Sequence, residues 1–527
     1  MSYTVFIPTA GTGSRLGGLT KYLNKSLVSI ENKPTLARIM DMFPDDTDYV
    51  IALGYKGELV REFISLAYPE KNIKLVDVFP YEGQGSGLSY TISCCKEYLQ
   101  KPFVFCSCDT LVTGEIPGPD TNWMGWDERD NKEQYRTISI HAELGLVKSI
   151  DEKGYDNPEN AKPYIGLAGI HDYETFWKAM DMCDDIKLLQ GESVGLRKLV
   201  EEKNVHCHKF TWFDTGVTVE LEATRQRFHM EGGPNILEKA NEAIWFLKDK
   251  VIKFSDDKNF IRDRVERSKL LSGFVPPITG HTDHMYAYGY VQGKIMSDCV
   301  SLPLFRQLLN SSKGFWREAA LNSQEKERFY NSCMKFYKDK TFDRVKLFFE
   351  TSGKQDCATV INHVWYPPVK DMLRQVDWNY MASGLPGQFH GDFHFENILY
   401  NDSEGNFEFL DWRQNFGESL SIGDIYYDLA KLLHGLIMCH ELVAKEEYHI
   451  NWNENEIIYD FNRKQLLVQC ENYYYSWLAK NKYDVVKVKM LTAIIFLNIA
   501  ALHHYPYSLI LMSLGKEMLY KLLEENA

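Results

Sequence analysis

The sequence predicts an α/β protein with two domains, and three observations lead to this prediction. Residues 1–115 alternate short apolar runs with helical segments, and consecutive glycines and a proline interrupt the chain at 231–234. From residue 235 a few strands come first, and helices dominate beyond residue 300. A chain of 527 residues also exceeds the size of one hydrophobic core, which stops growing at about 250–300 residues. We therefore expect domains at 1–232 and 233–527.

The N-terminal pattern predicts a mostly parallel sheet with helices on both faces, because strands and helices alternate along the chain. Such sheets bind ligands beyond the carboxyl ends of their strands. An antiparallel insertion follows and a helix closes the domain. The predicted strands are Thr4–Pro8, Tyr49–Leu53, Ile73–Val78, Phe103–Cys106, Ile138–His141, Tyr164–Ile170 and Trp212–Thr215, and the predicted helices are Thr35–Met42, Glu58–Ala67, Leu88–Leu99 and Glu220–Met230.

The C-terminal pattern predicts a small sheet lobe followed by a large helical lobe. Two short strands around a polar loop are expected at Phe389–Leu410. The apolar stretch Leu491–Leu502 is shorter than the roughly 20 residues that span a bilayer, so we interpret it as a buried helix. The other predicted elements are a hairpin of Ala243–Leu247 with Lys250–Phe254, a helix Asn259–Leu271 and a strand Met285–Val291.

The bulk composition is typical of a globular protein and excludes some partners. Hydrophobic residues make up 44% and charged residues 25% of the chain, and the net charge of −14 argues against a nucleic-acid-binding surface. The start, MSYTVFIPTAG, lacks the basic region of a signal peptide. Eleven scattered cysteines suit reduced thiols. We expect a cytoplasmic protein without membrane insertion that acts on small molecules, and its oligomeric state stays open.

A glycine-rich turn, Gly11–Leu16, directly follows the first strand. Gly11, Gly13 and Ser14 would let backbone N–H groups approach a phosphate chain, and Arg15 and Lys25 would neutralise charge as pyrophosphate leaves. The alternatives are a plain strand–helix turn and a dinucleotide site, which would need a third glycine at the proper spacing.

Two aspartates lie at the ends of predicted strands. Asp109 lies at the end of the predicted strand in FVFCSCD, and Asp214 lies at the end of the predicted strand in FTWFDTG. Carboxylates that converge on the glycine turn could hold Mg²⁺ against triphosphate oxygens. Each aspartate taken singly could instead be a helix cap or a turn residue.

The second half carries a motif with the residue types of phosphoryl transfer, His390–Asn397 (HGDFHFEN). Asp392 would accept the proton of a substrate hydroxyl, while Asn397 and Asp411 would hold Mg²⁺. We interpret His394 as a hydrogen-bonded loop residue, with a ligand role as the alternative.

Upstream of this motif, Lys253 lies on a predicted strand, where kinases place the lysine that contacts ATP phosphates. Glu266 would orient Lys253, or it is a solvated helix residue. Asp424 and Asp428, in GDIYYDLAKLL, read as a helix cap and a structural anchor.

Residues 1–230 resemble the sugar-phosphate nucleotidyltransferases, a family that includes phosphocholine cytidylyltransferases. The resemblance is carried by PTAGTGSRLGGLTKYLNKSL, EGQGSGL, SCDTL and WFDTG. It implies a GT-A-like fold, Mg²⁺, and attack by a substrate phosphate on the α-phosphorus of a nucleoside triphosphate. Carried over, the triphosphate site comprises Gly11, Gly13, Arg15 and Lys25, Gly85 lies near the base, and Asp109 and Asp214 bind the metal.

Two positions depart from this family. Ser26 stands where the family usually has a proline. The family's substrate-binding Glu-Lys-Pro appears as Ala161-Lys162-Pro163, so Lys162 is either a substrate contact or a solvated surface lysine.

Residues 235–527 resemble the aminoglycoside phosphotransferase and choline kinase family. The resemblance is carried by VIKF, YGYVQGKIMSD, HGDFHFEN, LDWR and GDIYYDLAKL, and it implies a two-lobed protein-kinase-like fold that acts on small molecules. A protein kinase is disfavoured because no G-x-G-x-x-G loop precedes Lys253 and no Ala-Pro-Glu follows Asp411.

The two halves together predict consecutive reactions. A kinase would make a phosphate ester from an alcohol and ATP, and a nucleotidyltransferase would couple that ester to CTP or UTP, with Mg²⁺ in both domains. The families imply products that feed surface polysaccharide (capsule) or lipid synthesis. A sugar, a polyol and an amino alcohol remain open as substrates. The alternative is that one half is a nucleotide-sensing or substrate-binding module.

Overall fold

The computed structural model describes residues 3–141, 143–154, 161–182, 191–229, 239–453 and 456–525. Contacts between residues divide the chain into two units. The first comprises Met1–Ile261 and Ile278–Tyr290, and the second comprises Arg262–Pro277 and Val291–Ala527. The predicted linker, Glu231-Gly232-Gly233-Pro234, lies outside the described residues. The domain boundary at 232/233 therefore stays a prediction.

The first unit is built on a nine-stranded sheet in the order β5-β4-β1-β6-β11-β8-β12-β10-β9. Its parallel part, β5-β4-β1-β6, comes from the alternating strands and helices, and β1 is buried along its whole length. The antiparallel insertion was also predicted. The strands are β1 Thr4–Pro8, β2 Ser29–Ile30, β3 Lys33–Pro34, β4 Asp48–Leu53, β5 Ile73–Asp77, β6 Phe103–Cys106, β7 Thr110–Thr113, β8 Asn122–Trp126, β9 Thr137–His141, β10 Leu146–Asp151, β11 Lys162–Ile170, β12 Val205–Lys209 and β13 Thr211–Asp214.

The helices of the first unit bury apolar faces in two hydrophobic clusters. In the second helix Leu59, Val60, Phe63 and Ile64 are buried, at the three- and four-residue spacing of one helix face. The helices are α1 Thr35–Asp41, α2 Gly57–Ala67, α3 Leu88–Cys94, α4 Tyr173–Asp181, α5 Ser193–Glu202 and α6 Thr218–Phe228. The mixed α/β prediction is confirmed for this unit.

A second, four-stranded sheet also belongs to the first unit, in the order β14-β15-β17-β16. The sequence predicted its hairpin but placed it in the C-terminal domain. Trp245 is fully buried, and its ring meets the ring of Phe63 edge-on at 5.3 Å. Glu62 accepts hydrogen bonds from the Thr282 hydroxyl and the His284 backbone. The strands are β14 Glu242–Phe246, β15 Lys250–Ser255, β16 Ile278–His281 and β17 Met285–Gly289.

Replacement of Trp245 tests whether this sheet shares the N-terminal core. Trp245→Ala is expected to lower the free energy of unfolding of the first unit by about 3–5 kcal/mol, because it leaves a large cavity beside Phe63. Trp365→Ala is the matched control, since that side chain is exposed. Denaturant titration of both variants measures the difference. Equal midpoints for Trp245→Ala and wild type would contradict a shared core.

The second unit is mainly helical, with three small sheets in the orders β18-β22-β23, β20-β19-β26-β25 and β21-β24. The sheet containing β19 was not predicted. In the region Phe389–Leu410, where two strands were predicted around a polar loop, the polar loop precedes both strands. The strands are β18 Lys294–Ile295, β19 Thr359–Ile361, β20 Val364–Tyr366, β21 Pro386–Gly387, β22 Ile398–Asn401, β23 Asn406–Phe409, β24 Gly423–Asp424, β25 Tyr448–Trp452 and β26 Glu456–Phe461.

The apolar stretch near the C-terminus forms a buried helix, α17, as predicted. Within the described ranges, no helix combines the length and apolarity needed to cross a membrane. The division between the units falls within α7. The helices from this point are α7 Lys258–Leu270, α8 Met296–Cys299, α9 Leu302–Phe315, α10 Ser323–Met334, α11 Lys340–Ser352, α12 Val369–Gln375, α13 Trp378–Ala382, α14 Ile425–Ile437, α15 His440–Ala444, α16 Gln465–Lys480, α17 Val485–Ala500 and α18 Tyr507–Glu525.

Candidate active sites

The glycine turn after β1 brings the chain close to Lys25. Gly13 has a φ of 65°, and an added Cβ would lie 2.8 Å from the Lys25 Cβ, so a larger residue would clash there. Gly11, Ser14 and Arg15 are exposed on the same turn. Gly85 has a φ of 84° in another exposed turn. The turn therefore combines an accessible backbone with a nearby cation.

Lys25 and Asp109 form an ion pair of 3.1 Å between Nζ and Oδ2. Burial opposes ionisation of Asp109, but Lys25, a 2.6 Å hydrogen bond from the Ser107 hydroxyl and the charge of Arg15 lower its pKa to about 2. Burial likewise opposes the charge on Lys25, and Asp109 outweighs it and raises the Lys25 pKa. Both groups are charged at neutral pH.

Asp214 reaches the same site from a separate two-stranded sheet. The strand before Asp109, β6, belongs to the nine-stranded sheet. Strand β13 pairs antiparallel with β7, which places Asp214 opposite Thr110. A Cβ added to Gly216 would lie 2.9 Å from Asp109 Oδ2 and 3.1 Å from Asp214 Oδ1, so both carboxylates approach one point. Burial and the negative charge of Asp109 raise the pKa of Asp214. The predicted convergence of the two carboxylates is observed.

This pair of carboxylates fits a divalent cation in its chemistry. Carboxylate oxygens are the donors that Mg²⁺ takes up in proteins. Burial, and then the neighbouring charge of Asp109, raise the pKa of Asp214, and a bound cation would relieve the repulsion between the two carboxylates. Asp109 and Asp214 are thus the residues of the first unit that could hold Mg²⁺.

The loop with Asp392 is anchored by the helix α14. Asp428 accepts hydrogen bonds of 2.6 Å from the backbone N–H groups of both His390 and Gly391, and Asp424 caps the helix through the Tyr426 N–H. The structural roles expected for these two aspartates are confirmed. Gly391 has a φ of 90°, and an added Cβ would lie 2.4 Å from the Arg413 Cβ. The loop is thereby held in one conformation.

The Asp392 carboxylate is surrounded by donors. Lys431 Nζ lies 2.7 Å from Oδ1, and Asn397 Nδ2 donates to Oδ2 at 3.3 Å. Burial opposes its charge, but Lys431 and His394 hold the pKa of Asp392 well below its ordinary value. His394 also contacts Glu396 through Nδ1 at 2.8 Å, as expected for a hydrogen-bonded loop histidine. Asp392 is therefore an ionised acceptor at neutral pH.

Asn397 and Asp411 flank the β22–β23 hairpin. The backbone N–H of Leu410 donates to the Asn397 carbonyl at 2.7 Å, which brings the two ends of the hairpin together. Asp411 has a φ of 56° and forms an ion pair with Arg264. Their amide and carboxylate oxygens suit Mg²⁺ in type, and Asp411 already has a cationic partner.

Three of the predicted site residues have neighbours that do not belong to the charged groups around Asp109 and Asp392. Lys162 Nζ pairs with Glu128 at 3.4 Å and lies 5.4 Å from the Trp126 ring centre, as a surface lysine does. Glu266 is exposed and pairs with Lys269 at 2.7 Å. Lys253 is buried in β15, opposite Tyr286. Functional roles for all three stay predictions.

Three residues at these sites were missed by sequence reasoning. Tyr135 donates to Asp214 Oδ2 at 3.1 Å, Lys431 pairs with Asp392, and Arg264 pairs with Asp411. Lys431 lies three residues after the anchor Asp428, so helical spacing could have placed it on the face towards the loop. Nothing in the local sequence marks Tyr135 or Arg264.

Comparisons with known proteins give partial matches. No family model matches the chain. A protein of Methanococcus aeolicus described as bifunctional protein GlmU is 23% identical over 224 residues, 40% of this chain and 51% of that protein. The chain thus spans about half the length of this relative.

Solved structures match at low similarity. A UDP-glucose pyrophosphorylase in complex with UDP-glucose has a TM-score of 0.37 and 16% identity, covering 43% of this chain and 98% of that one. The CTP:phosphocholine cytidylyltransferase of Streptococcus pneumoniae (LicC) also has a TM-score of 0.37 and 16% identity, covering 44% and 100%.

Proposed function

We propose that this protein is a bifunctional enzyme that phosphorylates an alcohol and then couples the phosphate ester to a nucleoside triphosphate. The first reaction converts R–OH and ATP into R–O–phosphate and ADP. The second converts R–O–phosphate and CTP or UTP into NDP–R and pyrophosphate. The observation that carries the proposal is the pair of charged sites, one around Asp109 and one around Asp392, each with a buried cation against a carboxylate.

In the N-terminal site, the glycine turn and Lys25 would bind the triphosphate of the nucleotide. Backbone N–H groups and cations stabilise the charge that develops on departing pyrophosphate. Arg15, exposed on the turn, would take part of that charge. Asp109 and Asp214 would hold Mg²⁺, which supplies charge neutralisation between phosphate oxygens when bound.

In the C-terminal site, Asp392 would orient the substrate hydroxyl and accept its proton. Lys431 Nζ lies 2.7 Å from Asp392 Oδ1, and with His394 it holds the pKa of Asp392 well below its ordinary value, so the carboxylate is ionised. Asn397 and Asp411 would hold Mg²⁺ against the ATP phosphates.

One observation favours the alternative that only the N-terminal half is catalytic. Arg264 pairs with Asp411, the proposed metal ligand, and its positive charge stands where the cation would be needed. In that case the C-terminal half would bind a nucleotide or the substrate without transferring phosphate.

A substrate screen tests the proposal and separates it from the alternative. Purified full-length protein with ATP, CTP and UTP is incubated with sugars, polyols and amino alcohols, and in parallel with their phosphate esters, and products are read by mass. A phosphate ester and an NDP-linked product from the same alcohol are expected. Pyrophosphate released only when a phosphate ester is supplied would support a single catalytic half. A complete lack of pyrophosphate release would refute the N-terminal assignment.

A further inference from the structure

A pocket in the second unit lies between α11, α17 and the helical turn Lys335–Asp339 that precedes α11. Its wall on the α17 side is apolar except for Asn498. The side chains with polar groups that line it are Tyr337, Lys340, Arg344, Tyr427 and Asn498. Asn498 is 8% exposed, and its Oδ1 has no hydrogen-bond partner among the described residues. Asn498 donates through Nδ2 to the Thr341 hydroxyl and the Ile494 carbonyl, which leaves its Oδ1 as an available acceptor in the pocket.

The pocket adjoins the loop of Asp392. Lys340 Nζ lies 4.0 Å and Arg413 Cζ 4.7 Å from the ring centre of Phe336, which lines the pocket. Arg413 is joined to the loop by a 2.9 Å hydrogen bond from its backbone N–H to the His390 carbonyl. The charges of Lys340 and Asp392 are close enough to affect each other. The pocket and the Asp392 loop are thus connected through Phe336 and Arg413.

The charge around this pocket is unbalanced. The basic side chains there are Lys340, Arg344, Arg413 and Lys431, whereas the neighbouring carboxylate of Asp392 is already paired with Lys431. In the part of the chain that the structure describes, Lys340, Arg344 and Arg413 form no ion pair with a carboxylate. Burial and the positive charges of Arg413, Lys431 and Arg344 lower the pKa of Lys340 to about 7. An anion bound here would relieve that repulsion.

We propose that this pocket binds an alcohol that also carries an anionic group, with Lys340 and Arg344 on the anion and the hydroxyl at Asp392. The inference rests on the proposed phosphorylation of an alcohol at Asp392 and narrows its substrate class. Cationic alcohols such as choline or an aminoglycoside would meet like charges in this pocket. The free Oδ1 of Asn498 would accept a hydrogen bond from a second hydroxyl of the substrate.

The test measures binding and phosphorylation separately on the full-length protein. The probes are glycerate, glycerol 3-phosphate, glycerol and choline, with affinity from calorimetry and ATP-dependent phosphorylation from mass. At least one anionic probe is expected to bind about 10-fold or more tightly than glycerol, as charge-assisted hydrogen bonds are stronger than neutral ones. The carboxylate and phosphate probes distinguish the two forms of the anion.

Charge reversal then assigns the effect to the pocket. Lys340→Glu is expected to weaken binding of the preferred anionic probe by about 10²-fold and to leave the KM for ATP unchanged. Lys340→Met nearly keeps the length of the side chain and should weaken binding of the same probe by about 10-fold. It replaces the charge-reversal variant if that variant does not fold. Lys346→Glu on the exposed face of the same helix is the matched control and should have no effect.

The outcomes separate this inference from the proposed reaction. Tighter binding of choline than of both anionic probes, or no binding of any anionic probe, overturns the inference. The inference is also overturned if Lys340→Glu changes the KM for ATP but not the affinity for the anionic probe, because Lys340 would then bind ATP. Binding of an anionic probe that depends on Lys340, without phosphorylation, supports the pocket and refutes the kinase.

Discussion

An Asp109→Asn protein is expected to release pyrophosphate about 10²–10³-fold more slowly than wild type when it is given a phosphate ester and a nucleoside triphosphate. The amide keeps the shape of the side chain but removes the charge that pairs with Lys25 at 3.1 Å. It also removes one of the two carboxylates that meet at Gly216. The measurement is the initial rate of pyrophosphate release.

The control for this prediction is Asp45→Asn, because Asp45 is fully exposed and far along the chain from the glycine turn. Its rate should equal that of wild type. Gly216→Ala gives a second, independent test, since the added Cβ would press on both carboxylates without changing any charge. A wild-type rate in the Asp109→Asn protein would remove this aspartate from the active site.

An Asp392→Asn protein is expected to phosphorylate the alcohol about 10²–10⁴-fold more slowly, because an amide cannot accept the hydroxyl proton. The substitution also leaves Lys431 without its anionic partner. The same protein should still convert an added phosphate ester into NDP–R, since the site around Asp109 is unchanged. Both reactions are followed by mass.

The complementary variant is Lys25→Ala, which should accumulate the phosphate ester without a nucleotide product. If the two reactions run in series, a mixture of the two variants restores NDP–R formation through the diffusing ester. A mixture that forms ester but no NDP–R would show that the N-terminal site rejects the product of the C-terminal site. Retention of full phosphorylation by Asp392→Asn would place the proton acceptor elsewhere.

Local sequence patterns predicted much of the N-terminal sheet because runs of mostly apolar residues mark its central, buried strands. Thr4–Pro8 is buried throughout and forms β1 with the predicted ends. The glycine turn was recognisable because Gly13 needs a positive φ and close approach to Lys25. The approach of Asp109 and Asp214 was also expected, since strand ends in such sheets face one edge.

Other features depended on long-range pairing and were not predictable from local pattern. The approach of Asp214 to Asp109 was expected, but not its route, because β13 pairs antiparallel with β7 outside the main sheet. The strands β14 and β15 were predicted as a hairpin, yet Trp245 in this hairpin packs on Phe63 of α2. The shape and apolar area of two surfaces decide which elements pack together, and the hydrophobic periodicity of the sequence does not give this information.

The amino-acid sequence alone determined the residue types at both candidate sites and most of the elements that carry them. These follow from hydrophobic periodicity, from glycine at turns and from aspartate at strand ends. Only the tertiary structure decided which side chains meet: Lys431 with Asp392, Arg264 with Asp411, and Lys340 with Arg344 in the lining of one pocket. The physical reason is that electrostatic interactions depend on distance in space and on burial, and both arise only when the chain has folded.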